Sequence, residues 1–227
     1  MNREVVQGKR KSSKNKMGPK SNTYIKKRLF SVTKRSIDIL LSSVGLIISL
    51  PILLITGVCI VVDDPGPIFY SQQRVGKNGK VFRMYKLRSM YQNADKIKDK
   101  LLDKNEINGL MFKMKEDPRI TRVGSFIRKH SLDELPQLYN VLIGDMSVVG
   151  PRPPLLNEYQ YYTEKDKQRL VVKPGCTGLW QVTGRNALDF DQMVALDLKY
   201  IRHQSLLLDL KIMFRTVKVI IFPNDAY

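Results

Sequence analysis

The chain is short of cysteine and of acids. Its 227 residues include two cysteines, Cys59 and Cys176, too few for a disulfide framework and without the spacing of a zinc site. A disulfide-stapled secreted domain and a zinc finger are therefore excluded. There is no heptad run and no internal repeat, which excludes coiled-coil and solenoid architectures. Asp and Glu number 21 against 39 Lys and Arg, a formal net charge of +18. A hydrophobic content of 43% excludes wholesale disorder. The length suits one domain with an appendage.

The basic excess is concentrated. Residues 1–35 carry twelve Lys and Arg against one acid, Glu4. Lys9-Arg10-Lys11-Ser12-Ser13-Lys14-Asn15-Lys16 has nothing apolar to bury, so residues 1–32 are expected to form a disordered basic tail. Such a run suits nucleic acid, or an anionic membrane surface, where each basic residue is worth ~1 kcal/mol. The adjoining segment decides between them. Ile39 to Val62 is 24 residues without a charge, 17 of them Ile, Leu, Val or Cys. About 20 apolar residues cross a bilayer, so a membrane segment is read ahead of a buried core helix. It lies too deep in the chain for a signal peptide.

Pro51 sits near the middle of this run, with Ser49 two residues before it. Proline removes a helical donor and clashes with the preceding turn, and a nearby serine hydroxyl helps satisfy the exposed carbonyls. Lys34 and Arg35 precede the run; Arg74, Lys77, Lys80, Arg83, Lys86 and Arg88 come after it. Basic residues mark the cytoplasmic side. A re-entrant helix hairpin over residues 33–63, broken at Ser49 and Pro51, is therefore expected, with a straight kinked span as the alternative.

Residues 64–227 read as a cytoplasmic domain of α+β class, mostly helical. Ile68–Val75 and Lys80–Leu87 are rich in β formers and flank Gly76-Lys77-Asn78-Gly79, which predicts a β-hairpin. Helices are expected over 94–105, 120–128, 131–142, 155–168, 189–203 and 206–222. The last is basic and amphipathic, suited either to a membrane interface or to a core.

The chemistry is densest between Arg128 and Pro154. Ser131-Leu132-Asp133-Glu134 has the spacing of a capping box, which accounts for two acids without any function. Their company suggests more. Pro136 fits only near a helix start, which places Asp133 and Glu134 at a helix N-terminus, where free amides attract phosphate. Arg128 precedes them, and Arg152 sits in the loop Gly150-Pro151-Arg152-Pro153-Pro154, suited to bidentate phosphate binding or to a plain surface role. Arg185, after Gly175, Gly178 and Gly184, has the same two readings. Trp180 is either a base-stacking platform or a core anchor. Aspartate is a known nucleophile toward phosphoryl groups, and neighbouring arginines are expected to keep it ionised.

Seven blocks match one family in order. They are Lys34-Arg35-x-x-Asp38; Gly66-Pro67-Ile-Phe69 through Gln73-Arg74-Val-Gly76; Tyr85-Lys86-Leu-Arg88-Ser89-Met90; Asp117-Pro-Arg119-Ile-Thr-Arg122-Val-Gly124; Arg128-Lys-His-Ser131-Leu-Asp133-Glu134-Leu-Pro136-Gln137; Gly144-Asp145-Met-Ser147-Val-Val-Gly150-Pro-Arg152-Pro153; and Pro174-Gly175-Cys-Thr-Gly178-Leu-Trp180-Gln181-Val-Thr-Gly184-Arg185. Over residues 33–227 the chain resembles the bacterial sugar transferases, monotopic phosphoglycosyl transferases of capsule and exopolysaccharide synthesis. The resemblance implies transfer of a sugar 1-phosphate from a UDP-sugar, UDP-glucose or UDP-galactose favoured, to undecaprenyl phosphate, with release of UMP. It implies that Asp133 forms a covalent phospho-sugar intermediate and that Glu134 helps it hold Mg²⁺. Arg128, Arg152 and Arg185 would serve the phosphates, with Arg88 set beside them. It also implies a monotopic placement on the cytoplasmic face of the cell membrane, in contact with lipid and open to downstream glycosyltransferases. Two rivals stand beside it. A nucleic-acid binder is disfavoured because most of the excess charge is tail rather than a patch on a domain, so no nucleic-acid partner is expected. A silent scaffold for glycan-assembly enzymes would tolerate loss of Asp133.

Overall fold

The computed structural model describes residues 19–98, 114, 116–184 and 188–221. The first element, α1 (Pro19–Asp63), is a helix of 45 residues. Its buried positions Asp38, Ser42, Ser49, Thr56 and Ile60 lie four or seven residues apart, so they form one stripe, with buried Gly57 beside it. Apart from Ile60, that stripe is small or polar. The apolar side chains face outward, with Ile47 72% and Val62 78% exposed. A soluble helix has the opposite arrangement. An outward apolar surface of this extent marks an interaction face, and α1 is long and apolar enough to cross a bilayer.

Two expectations are corrected here. The re-entrant hairpin does not appear as two helices, because α1 carries Pro51 inside it. A proline costs a helix one donor and bends it without necessarily ending it. Ser49 stays within the helix, its hydroxyl donating to the Leu46 carbonyl at 3.2 Å. The boundary at residue 32 also moves: residues 19–32, assigned to the disordered tail, belong to α1. Residues 1–18 lie outside the described residues.

Beyond α1 the hairpin appears where expected. Strands β1 (Phe69–Val75) and β2 (Val81–Leu87) pair antiparallel in the register Phe69 to Leu87. Their connection holds Asn78 at φ 56° and Gly79 at φ 80°, the left-handed backbone that Asn and Gly tolerate best. Next come α2 (Ala94–Lys98), α3 (Arg122–Lys129), α4 (Gln137–Ile143), β3 (Ser147–Val149), α5 (Leu156–Tyr159), α6 (Glu164–Lys167), β4 (Gly175–Thr177), α7 (Phe190–Arg202) and α8 (Leu206–Ile221). Strands β3 and β4 pair in parallel. The single helix expected over 155–168 is two short helices. Thr163 starts the second: its N–H donates to Asp166 Oδ2 at 2.9 Å while its own Oγ1 receives the Asp166 N–H. The helix expected over 94–105 is described only to Lys98.

The core is divided into three clusters. Phe82, Met84, Val141 and Met146 join the hairpin to α4. Ile60 of α1, Leu87 of β2 and Ile127 of α3 form the second. Val149, Tyr200 and Ile212 join β3 to α7 and α8. Arg169, at 2.6 Å from Asp197 and donating to the Tyr162 hydroxyl at 2.8 Å, locks α7 against the turn after α6.

Candidate active site

The dyad lies in a 3-10 turn, Leu132–Glu134, between α3 and α4. Thr121 caps α3 by accepting the Gly124 N–H at 2.8 Å, and Asp63 at the end of α1 accepts the Val123 N–H at 3.0 Å. Gly124 is needed there because a Cβ would collide with the Ser89 carbonyl. The expected capping box is absent. Ser131 is left-handed, φ 55°, and its side chain caps nothing. The chain turns sharply at Ser131, and this turn places Asp133 inward, 7% exposed, while Glu134 stays partly open. The carboxylates therefore lie in a turn ahead of α4 rather than in its first turn, with Pro136 at the α4 cap.

Lys86 reaches the dyad from β2. Its Nζ lies 2.7 Å from Glu134 Oε1 and 3.9 Å from Asp133 Oδ2. The register of that approach is set by Asn140, fully buried in α4. Its Oδ1 accepts the Tyr85 N–H at 3.0 Å and its Nδ2 donates to the Arg83 carbonyl at 2.7 Å. One side chain thus ties the strand carrying Lys86 to the helix that comes after the dyad.

The two acids are pushed apart. Burial raises the Asp133 carboxyl to about 6, Lys86 opposing and Glu134 adding to the rise. This reverses the expectation that arginines would dominate. Arg128 does act on Asp133 in that direction, but more weakly than burial. Burial also works against the charged form of Glu134, but Lys86, Arg152 and a hydrogen bond from Gln137 prevail and hold it below the ordinary carboxylate range.

The predicted arginines separate into three groups. Arg128, exposed at the end of α3, and Arg152, in the loop after β3, are brought to the dyad through their fields on Asp133 and Glu134. Arg88 is engaged elsewhere: buried, it donates from Nη1 to the Asp64 carboxylate and from Nη2 to the Asp64 carbonyl, closing the end of α1. Arg185 lies outside the described residues. Trp180 is 7% exposed, an anchor at the edge of a cleft shared with Arg152, Tyr162 and Phe190.

Two residues carry more than the sequence suggested. Lys86 sat within a matching block without a role; its signal was a cation in a predicted strand of that block. Arg74, buried in β1, donates from Nη1 to the Pro153 carbonyl at 3.1 Å and braces the Arg152 loop. Burial, then Arg152, lowers its guanidinium to about 10.

Among the described residues no group of three His, Cys, Asp or Glu converges as a metal site. The dyad supplies two carboxylates. Mg²⁺ takes one or two carboxylates with waters and substrate phosphates. Two adjacent carboxylates are a donor set of the kind Mg²⁺ takes.

A buried carboxylate and its neighbour thus stand in the fields of a lysine and two arginines, between two helices that pack on an outward-apolar α1. Residues 29–223 match the bacterial sugar transferase family, and the chain belongs to it. It is 51% identical over 196 residues to the galactosyl transferase CpsE of Streptococcus agalactiae, covering 86% of this chain and 43% of that protein. It is 46% identical over 205 residues to the undecaprenyl-phosphate galactose phosphotransferase of Salmonella typhimurium, covering 88% of this chain and 43% of that protein. The exopolysaccharide production protein ExoY of Sinorhizobium fredii is 40% identical over 200 residues, with 86% of this chain and 88% of that protein covered. The chain thus spans less than half the length of the first two relatives and most of the third.

Proposed function

We propose that the chain transfers a sugar 1-phosphate from a UDP-sugar to undecaprenyl phosphate and releases UMP, as a membrane step of capsule or exopolysaccharide assembly. The observation that carries this reading is Asp133: a buried carboxylate, raised to about 6, at a junction of helices packed on an outward-apolar α1. An Asp133 oxygen attacks the β-phosphorus of the donor. The new O–P bond forms as the bond from that phosphorus to the bridging oxygen breaks, and UMP leaves with the electron pair. A phosphate oxygen of the lipid then attacks the same phosphorus and expels Asp133 as a carboxylate. One pocket serves both steps in turn.

Each neighbour has a task. Lys86 holds Glu134 ionised and fixed. Arg128 and Arg152 meet phosphoryl oxygens, where positioned cations stabilise developing charge. Asp133 and Glu134 would hold Mg²⁺, which when bound neutralises phosphoryl oxygens so that an anionic nucleophile can approach. The first two relatives carry galactose in their names, so UDP-galactose is the first donor to offer, with UDP-glucose beside it.

A monotopic placement on the cytoplasmic face is supported by where α1 is tied down. Before the apolar run, Lys34 pairs with Asp209 at 2.6 Å; after it, Asp64 pairs with Arg88. Both flanks dock on one folded domain, which lies on one side of a bilayer. The amphipathic α8, with Leu207 and Phe214 exposed beside Lys211 and Arg215, suits the same surface.

The test is UMP release by the detergent-solubilised full chain, given undecaprenyl phosphate, Mg²⁺ and a panel of UDP-sugars. Release with one sugar, lost in Asp133→Asn, is expected. Silence across the panel in lipid-replete conditions would defeat the reading.

A further inference from the structure

Three side chains in the turn of α1 that leads into the apolar run hold β3 and the far end of α4. Arg35 donates to the Val141 and Leu142 carbonyls at 2.6 and 2.8 Å, ending α4. Asp38, 4% exposed, accepts from Ser147 Oγ and from the Val148 N–H, both at 3.0 Å. Lys34 donates to the Val149 carbonyl at 3.1 Å and to Asp209 at 2.6 Å. The Tyr200 hydroxyl, buried, closes the set at 2.8 Å from Asp209 and 3.1 Å from the same Val149 carbonyl. Every residue of β3 is therefore tied to α1. The next residues are Gly150, Pro151 and Arg152.

We propose that Lys34 and Asp38 are positioning residues for Arg152, so that the entry turn of the membrane helix is part of the phosphate site rather than a detachable anchor. The inference rests on the proposed function for the role of Arg152. Its mechanism is short. β3 is three residues long, and its own ladder is a few bonds to β4: Ser147 N–H to the Pro174 carbonyl at 2.8 Å, and Gly150 N–H to the Thr177 carbonyl at 2.9 Å. So short a strand does not fix its own position. Two charged groups do so from the other side, Asp38 buried and Lys34 partly buried, and Pro151, Pro153 and Pro154 transmit that position with little slack. Charged acceptors and donors suit this task because their hydrogen bonds are roughly twice as strong as neutral ones.

The experiment is a double-mutant cycle on the full chain in lipid nanoparticles, read by calorimetric binding of inorganic pyrophosphate with Mg²⁺. Asp38→Asn keeps the size of the side chain, and Ser147→Ala removes one bond without touching α1, so one folded variant remains if the other fails. Either is expected to weaken pyrophosphate binding about 5–10-fold in the unaltered background and less than about 2-fold when Arg152 is already Ala, the signature of residues acting through one another. Arg35→Gln, which contacts α4 and not β3, is expected to lower the melting temperature without such coupling. Equal losses in both backgrounds would overturn the proposal and leave Asp38 a plain structural contact. No pyrophosphate binding by the unaltered protein would overturn the phosphate-site reading and this inference together. Coupled binding without UMP release would defeat the transferase reading alone and keep the positioning role.

Discussion

In the proposed reaction, Asp133 is the residue on which activity and stability are opposed. Its carboxyl sits at about 6, so the folded protein binds that proton more tightly than the unfolded chain does. By linkage this group lowers stability as pH rises from about 4 through 6, and its buried charge remains a cost above that. Asp133→Asn should therefore abolish UMP release and raise the melting temperature at pH 7.5 by about 2–4 °C, the shift that ~1 kcal/mol gives at this size. A melting temperature that falls in the variant would contradict that assignment. The same position sets the pH profile. The proposed nucleophile must be ionised, so kcat/KM should fall on acidification with a midpoint near 6, well above an ordinary aspartate. Lys86 opposes that rise. Lys86→Met should cut kcat by about 10²-fold, the scale for losing one preorganised charge partner, and should move the acid limb to higher pH. An unmoved limb would mean that Lys86 does not face Asp133 in solution.

At the scale of elements, α1 and β2 matter most. Arg88 separates two roles that the sequence left together. If it closes α1 through Asp64, then Arg88→Gln and Asp64→Asn should each cost about 1–3 kcal/mol, as for a hydrogen bond to a charged group, measured by urea unfolding in detergent. Neither should then alter the KM for the UDP-sugar. A KM effect confined to the Arg88 variant would return Arg88 to the phosphates. The hairpin was legible because runs of β formers on either side of Gly76-Lys77-Asn78-Gly79 are a local signal. The split of 155–168 into two helices was legible only in part: Thr163 and Asp166 have capping spacing, but a long polar stretch conceals it.

At the scale of the molecule, the proposed placement on one membrane face is open to a direct test. Both flanks of the apolar run end on the same domain, through Lys34 with Asp209 and Asp64 with Arg88. In a background with Cys59 and Cys176 replaced by Ser, single cysteines at Arg28 and at Lys77 should both react with an impermeant maleimide from the cytoplasmic side. Labelling from opposite sides would establish a span. The domain itself depends on the buried Arg169–Asp197 pair. Asp197→Ala leaves a cation uncompensated among apolar groups, so a loss of about 3–5 kcal/mol is expected.

The sequence by itself determined what local chemistry can express: the uncharged 24-residue run, the hairpin, the helices near 120–128, 189–203 and 206–222, and the pairing of Asp133 with Glu134 between two arginines. The family motifs were legible for the same reason, as residue types at short fixed spacings. Tertiary structure decided what depends on distant partners. Asp133 is raised rather than lowered because burial outweighs its neighbours. Lys86 faces the dyad because Asn140 fixes a strand more than 50 residues away. Arg88 turns to Asp64, and α1 holds β3 across more than 100 residues, because buried charges must find partners wherever the fold brings them.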